Sequence, residues 1–368
     1  SILEGFKDIP IAIASFILAS FLPKIGLKKS MLLGLALVSI FCFMTPFTND
    51  FWYFKMLFLV IGISFALIKI AVFATIGLIT NSQKEHGSFM GILEGVFMGG
   101  ILLGNIAFSF FIDDANPKST NWLNMYWFMG AISLLAFIVL LASKLDESQA
   151  KIEQRKFSED FKEMLLLILK PLTIIFVISI FLYVLIEQSF QTWFPTFYTD
   201  IIKVPPSMAV QASAILGGAF MIGRFLGGFI LNKMKWITLL TICLLSAGII
   251  VIVVLPLADT TQTVGLITWA NAPLVVYLMP LIGLFLAPVY PTINSTILSS
   301  LPKHMHSSMA GLIVVFSALG GTTGSIITGN VFEKYDGSTA FYLSLIPLTG
   351  ILITIWILYM MTKKSIPE

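Results

Sequence analysis

The stretch "ISFALIKIAVFATIG" (Ile63–Gly77) contains fourteen apolar or small residues and one lysine, Lys69. It lies in an apolar run from 52 to 79, and about 20 such residues suffice to cross a bilayer. A lysine at the centre of a span costs roughly 2.5–3.5 kcal/mol. Lys69 is therefore the first candidate functional residue.

The rest of the chain is equally apolar. Of its 368 residues 57% are hydrophobic and only 11% are charged, whereas soluble domains carry about 25% charged residues. The pattern predicts an all-α membrane protein with eleven spans, at 6–22, 30–47, 52–79, 88–112, 122–143, 171–198, 207–231, 236–257, 270–298, 307–332 and 338–361.

Several function classes are disfavoured by the same composition. The two cysteines lie in apolar runs with no metal-ligand spacing, and no basic patch suits a nucleic acid. There is no phosphate-binding loop and no cluster of catalytic groups at the membrane surface. We therefore expect no enzyme activity, catalytic residue, cofactor, metal or nucleic-acid partner. The three histidines are predicted to lie in polar loops, which argues against a buried histidine relay.

The lysines and arginines of the loops indicate the orientation in the membrane. Fifteen lie on one side and five on the other, so the richer side is predicted to be cytoplasmic. Residue 1 is then outside and the C-terminus inside, in the inner membrane of a bacterium. We expect a monomer in the lipid bilayer.

An internal repeat relates the two parts of the chain. "IGISFA" (61–66) matches "IGLFLA" (282–287), and Gly99-Gly100 matches Gly320-Gly321, both at an offset of 221. The repeat pairs the first five spans with the last five and leaves 171–198 without a partner. We therefore expect two six-helix halves, with the first helix of the parent protein lying before residue 1. The predicted divisions are 1–143 (helices 2–6), a cytoplasmic loop at 144–170, and 171–368 (helices 7–12).

This organisation resembles the major facilitator superfamily. "ASFLPKIGLKK" (19–29) is similar to the superfamily motif G-x-x-x-D-R-x-G-R-R, with Pro23 in place of the aspartate. Three other stretches resemble the branch of fucose permeases and glucose/galactose porters: "YVLIEQSFQTWFPTFY" (183–198), "GRFLGG" (223–228) and "APVYPTIN" (287–294). The resemblance implies a transporter that works by alternating access.

Four charges remain well inside the spans: Lys69, Glu94, Glu187 and Arg224. Glu94 lies about 9 Å and Arg224 about 11 Å from the cytoplasmic ends of their helices. The resemblance makes these helices 5 and 8, which meet between the halves. We expect a Glu94–Arg224 salt bridge that gates the cytoplasmic side. The alternatives are a static pair, or an Arg224 satisfied by carbonyl groups of its own half.

Lys69 and Glu187 lie near the midplane, at about 15 and 16 Å from the ends of their spans. The resemblance assigns them to helices 4 and 7, which line the central cavity. Three functional interpretations remain open: a Lys69–Glu187 pair that substrate breaks, Lys69 as counter-ion to an anionic substrate, or Glu187 as the carrier of a coupling proton. A purely structural pair is the fourth alternative.

Polar side chains near these charges complete the candidate substrate site. Gln188 and Gln191 lie beside Glu187, and Tyr290 and Asn294 are one turn apart on the proline-flanked helix 10. Amides beside aromatic rings suit a sugar, although they also suit hydrogen bonds between helices. The leading prediction is a secondary active transporter of a small hydrophilic solute, a sugar carried by proton symport. The alternative is an organic-anion transporter of the same fold that uses Lys69.

Overall fold

The computed structural model of the protein describes residues 10–11, 13–18, 22, 24–109, 111, 119–148, 162, 166–259 and 267–363. Its helices are α1 (Leu27–Met44), α2 (Phe51–Ile79), α3 (Gln83–Ser109), α4 (Met125–Ala142), α5 (Pro171–Asp200), α6 (Pro206–Ile230), α7 (Trp236–Asp259), α8 (Leu274–Leu278), α9 (Leu281–Leu286), α10 (Val289–Ser299), α11 (His306–Lys334), α12 (Gly337–Tyr342) and α13 (Leu345–Lys363). Short 3₁₀ helices lie at Thr45–Phe47, Asn121–Asn124 and Lys303–Met305.

Among the described residues, ten helical segments are long and apolar enough to cross a membrane. They correspond to the last ten predicted spans, with ends that differ by a few residues. The prediction of an all-α membrane protein is therefore confirmed. The first predicted span, 6–22, and most of the central loop, 144–170, lie outside the described residues.

The predicted span 270–298 is interrupted rather than continuous. It is divided into α8, α9 and α10 by turns at Pro280 and Pro288. Proline lacks the amide proton that an α-helix needs and clashes with the preceding turn, so each of these residues lies immediately before the first residue of a new helix. Pro291 lies in the first turn of α10, where the backbone amides have no acceptor within the helix, so a proline breaks no hydrogen bond there. Every residue of α10 from Val289 to Leu298 is buried.

The described chain forms two compact units. Unit 1 comprises described residues of 1–81, 103–170 and 301–318, and unit 2 those of 82–102, 171–300 and 319–368. The units differ from the halves predicted from the repeat, because α3 and α11 each contribute to both. The halves remain a prediction.

In unit 1, an acidic side chain caps the start of α1. Gly26 has a φ of +96°, and the carboxylate of Glu147 accepts hydrogen bonds from the amides of Leu27 at 2.9 Å and Lys28 at 2.7 Å. The ammonium group of Lys28 in turn donates to the carbonyl of Ser143. Glu147 thus supplies an acidic group at the start of α1. The start of α1 lies in the stretch "PKIGLKK" (23–29), in which Pro23 replaces the aspartate of the superfamily motif.

In unit 2, glycines allow α3 and α6 to touch along their backbones. A Cβ at Gly91 would lie 2.7 Å from the Cα of Gly228, and one at Gly95 would lie 3.0 Å from the ring of Phe225. Any larger side chain at Gly91 would push the helices apart.

The predicted loop location of two histidines is wrong. His86 and His306 are each 2% exposed and lie in α3 and α11. His86 Nδ1 is 2.9 Å from the hydroxyl of Ser295, and the ring of His306 fills the space beside Gly77. Both helices include polar first turns, which packing buries although their composition resembles that of a loop. Two of the three histidines are therefore buried, contrary to the expectation from the sequence.

The cap on α1 predicts that Glu147→Ala lowers the melting temperature of the detergent-purified protein. Loss of a helix cap costs about 0.5–2 kcal/mol, because two amide groups at the helix start lose their acceptor. Asp146→Ala is the matched control, since Asp146 accepts a local hydrogen bond from the amide of Ser148. Equal melting temperatures for the two variants would contradict the capping role.

Candidate substrate and coupling site

Arg224 lies at the centre of a buried ion cluster in unit 2. Its Nη1 donates to Glu94 Oε2 at 2.9 Å, and its Nη2 donates to Glu187 Oε1 at 2.5 Å. Arg224 is 3% exposed, Glu94 2% and Glu187 8%. A single guanidinium thus binds carboxylates from two different helices, α3 and α5.

The register of α3 against α6 brings Glu94 to Arg224. Gly91 approaches Gly228, and Gly95 approaches Phe225, so the residue numbers rise along one helix as they fall along the other. The two helices are therefore antiparallel. Glu94 lies three residues after Gly91 and Arg224 four residues before Gly228, which places both side chains at the same level.

Arg224 forms one salt bridge that was expected from the sequence and one that was not. The structure brings Glu94 and Arg224 together as expected, but Arg224 also forms a salt bridge to Glu187. The depth estimate compared backbone positions, whereas a guanidinium lies several ångströms from its backbone and carries two terminal nitrogens. Arg224 can therefore reach both carboxylates.

Lys69 belongs to α2 of unit 1. Its ammonium nitrogen lies 5.4 Å from the ring centroids of both Phe65 and Phe73, one turn before and one turn after it. Aromatic faces at this distance stabilise a cation. The hypothesis that Lys69 meets Glu187 or an anionic substrate remains a prediction.

Two buried carboxylates bind the guanidinium of Arg224 in this cluster. Ionisable groups this close to one another are coupled, so the charge of one depends on the charges of the others. Removing one member of a buried ion pair leaves its partner's charge without that compensation, which is costly in a poorly hydrated interior.

Aromatic and amide groups surround the cluster. The ring of Tyr290 lies 5.8 Å from the guanidinium carbon of Arg224, and the ring of Tyr183 lies 5.7 Å from that of Tyr290. Gln191 donates to Glu187 Oε1 at 3.3 Å. The predicted residues Gln191 and Tyr290 thus join Glu187 and Arg224 in one site.

Asn294 lies one turn beyond Tyr290 on α10 and is fully buried. Neither its amide nitrogen nor its amide oxygen has a hydrogen-bond partner among the described residues. A buried amide is normally satisfied by protein, water or ligand. Asn294 therefore retains the capacity to bind a polar ligand.

Gln188 does not join these residues in the contacts that the structure shows. Its amide donates to the hydroxyl of Thr192 at 2.9 Å, and its stem lies beside Gly321 of α11. One residue along an α-helix turns a side chain by about 100°, which directs Gln188 away from the face of Glu187.

A family model describes most of this chain. The model of the Major Facilitator Superfamily matches residues 9–325. The chain belongs to the Major Facilitator Superfamily. The resemblance inferred from the sequence motifs is therefore confirmed, and the protein is a transporter of that superfamily.

Individual relatives are distant. The chain is 22% identical to a TsgA homolog of Buchnera aphidicola subsp. Acyrthosiphon pisum (strain Tuc7), over 98% of this chain and 86% of the relative.

Solved superfamily structures share the fold. The TM-score is 0.80 to the transporter FucP in the outward conformation, at 14% identity, with 97% of this chain and 89% of FucP covered. It is 0.75 to the proton:xylose symporter XylE, at 14% identity, with 96% and 84% covered. It is also 0.75 to the human organic anion transporter MFSD10, at 15% identity, with 97% and 82% covered. At these identities the likeness establishes the fold alone.

The ion cluster predicts the effect of removing the arginine. Arg224→Met removes the cation that Glu94 and Glu187 bind, and breaking a buried ion pair in this way costs about 3–5 kcal/mol. We expect a clear fall in the melting temperature of the purified protein. A triple variant that adds Glu94→Gln and Glu187→Gln should regain most of the loss, because the two carboxylate charges are removed together with the arginine. If the triple variant melts as low as Arg224→Met, the loss of stability does not come from the charges of the carboxylates.

Proposed function

We propose that the protein is a secondary active transporter of a small hydrophilic solute, a sugar carried by proton symport, and that Glu187 carries the coupling proton. The observation that carries this proposal is the buried cluster in which Arg224 binds both Glu94 and Glu187. A buried carboxylate that is coupled to a second carboxylate and to an arginine is a candidate to exchange a proton, which is what coupling requires.

Glu187 suits the proton-carrying role better than Glu94. It is the more exposed of the two carboxylates, and it also accepts a hydrogen bond from Gln191. Protonation of Glu187 would weaken its bond to Arg224, since a neutral carboxyl attracts a guanidinium less strongly. The groups beside it would then be able to rearrange around a solute.

The solute site is proposed to comprise Gln191, Tyr290 and Asn294, with Gln188 and Lys69 as further candidates. Gln191 and Asn294 offer amide donors and acceptors, and Tyr290 offers an aromatic face. This combination fits the hydroxyl groups and the apolar faces of a sugar ring.

The Glu94–Arg224 bond is proposed to act as a gate. It joins α3 to α6 at the level where Gly91 and Gly228 already bring the backbones together. Together the bond and the glycine contact hold the helices closed on the side predicted to be cytoplasmic. Passage of solute on that side would require both to separate.

The comparisons favour a sugar:proton symporter without deciding the substrate. XylE is described as a proton:xylose symporter, and FucP shares the fold at a higher TM-score. The orientation and the inner-membrane location rest on the distribution of loop lysines.

An organic anion is the second candidate substrate. Lys69 favours it, because a cation in a membrane span can serve as counter-ion to a carboxylate. The human transporter MFSD10, which shares the fold, is described as an organic anion transporter.

Proton coupling at Glu187 predicts that Glu187→Gln retains solute exchange but loses uphill accumulation. Glutamine keeps the shape and the hydrogen bonds of the side chain but cannot bind or release a proton at neutral pH. The measurement is uptake into proteoliposomes of the full-length protein, with and without an imposed proton gradient. Unchanged accumulation would contradict the role of Glu187.

Glu94→Gln is the matched control, because it removes the other carboxylate of the same guanidinium. The gating role predicts a changed rate with an unchanged final accumulation ratio. Loss of accumulation in Glu94→Gln, with accumulation retained in Glu187→Gln, would reverse the two assignments.

The substrate class is tested by counterflow of labelled sugars and labelled carboxylates in the same vesicles. We expect sugar counterflow that Lys69→Met reduces by about tenfold without abolishing it, since loss of one hydrogen bond from a charged ammonium group costs about 1.5 kcal/mol. Counterflow of carboxylates alone, abolished by Lys69→Met, would instead establish the anion transporter.

A further inference from the structure

A second cavity lies in unit 2, away from the ion cluster. It has a volume of about 590 Å³ and is formed by parts of α3, α10 and α13 and by the α6–α7 connection. None of the site residues Glu94, Glu187 and Arg224 lines it. It is therefore a separate space from the proposed transport site.

The cavity carries a concentrated positive charge. Lys84, Lys233 and Lys235 line it, and none of the described residues that line it is acidic. Three ammonium groups around one cavity favour a ligand with more than one negative charge. All three lysines lie on the side predicted to be cytoplasmic.

The inner part of the cavity offers a hydrogen-bonding group. Thr292 lines it and is 1% exposed, and its hydroxyl has no hydrogen-bond partner among the described residues. A buried hydroxyl in this position is able to donate to an anionic oxygen, which gives a strong charge-assisted bond.

Part of the remaining wall is apolar and packs on the core of unit 2. Trp236 stacks edge-on against Tyr359 at 5.9 Å between ring centroids, and it packs on a cluster formed by Leu231, Leu239 and Cys243. Both rings line the cavity. This wall suits a ligand with an apolar or ring-shaped part beside its charged group.

We propose that this cavity binds a phosphomonoester that carries an apolar group. Lysines and a buried hydroxyl surround the phosphoryl oxygens, and the aromatic wall receives the apolar group. A phosphomonoester carries a charge of about −1.5 to −2 at pH 7, which matches the lysines better than a single carboxylate does. The ligand is either a lipid headgroup of this chemistry or a soluble phosphate ester.

A bound ligand would also stabilise the contact of three helices. At Gly87, which lines the cavity, a Cβ would lie 3.1 Å from Leu231 Cδ1 and 3.4 Å from the hydroxyl of Ser295. A ligand that binds this arrangement more tightly than any other shifts the population toward it. If the proposed function holds, such a ligand slows transport by favouring the closed gate; the binding itself does not depend on that function.

The test measures equilibrium binding to the purified full-length protein, with phenyl phosphate as the soluble probe and benzoate as the carboxylate control. A second experiment tests a lipid ligand. It compares the melting temperature of the protein in phosphatidylcholine nanodiscs with and without phosphatidic acid. We expect binding of at least one phosphate probe, weakened by added salt. Benzoate binding as tight as that of phenyl phosphate would overturn the assignment of a phosphomonoester.

A variant of the cavity lysines and a matched control variant test whether the probe binds in this cavity. The triple variant Lys84→Ala, Lys233→Ala and Lys235→Ala should lose at least about tenfold in affinity. The matched control removes three exposed lysines that do not line the cavity, Lys29, Lys144 and Lys170, and should stay within about twofold of the wild type.

Thr292→Val keeps the shape of the side chain and should weaken binding about fivefold or more, because a hydrogen bond to a charged group is lost. Binding of phenyl phosphate that depends on these residues supports a soluble ester. A stabilisation by phosphatidic acid alone that depends on them supports a lipid. Equal losses in both lysine triples, or no loss in the cavity variants, would overturn the proposal.

Discussion

The buried guanidinium of Arg224 determines what the rest of unit 2 can do. It binds Glu94 of α3 at 2.9 Å and Glu187 of α5 at 2.5 Å, so three helices converge on one cation. Removing the arginine takes away the cation that both carboxylates bind, which is costly in the protein interior. The proposed proton coupling at Glu187 rests on this coupled cluster.

The glycines of α3 and α6 make this cluster geometrically possible. Gly91 lies against the backbone of Gly228, which fixes the register at which Glu94 faces Arg224. The same contact, together with the salt bridge, forms the proposed gate. Gate and coupling site therefore share one arginine, and a change in the proton occupancy of Glu187 alters the electrostatics of the gate directly.

Much of the fold could be predicted from the sequence, because the hydropathy of a span is set by the thickness of the bilayer. The ends of most described spans differ from prediction by a few residues, and Glu94 and Arg224 could be matched by depth together with the superfamily resemblance. The salt bridge from Arg224 to Glu187 could not, because helix depth does not report side-chain reach. The buried histidines His86 and His306 were missed for a related reason: a polar first turn resembles a loop until its packing is known.

Helix α10 contributes residues to two different proposed sites. Tyr290 and Asn294 of α10 belong to the proposed transport site, whereas Thr292 of the same helix lines the basic cavity. One short helix, bounded by prolines and buried along most of its length, thus presents different faces to two ligand environments.

The protonation state of the cluster can be observed directly. Infrared difference spectroscopy of wild type against Glu187→Gln, in lipid at neutral pH, reports whether a carboxyl group carries a proton. The proposed coupling at Glu187 predicts the band of a protonated carboxyl in the wild-type protein that Glu187→Gln removes. A wild-type protein in which both Glu94 and Glu187 are ionised would contradict the proposed coupling.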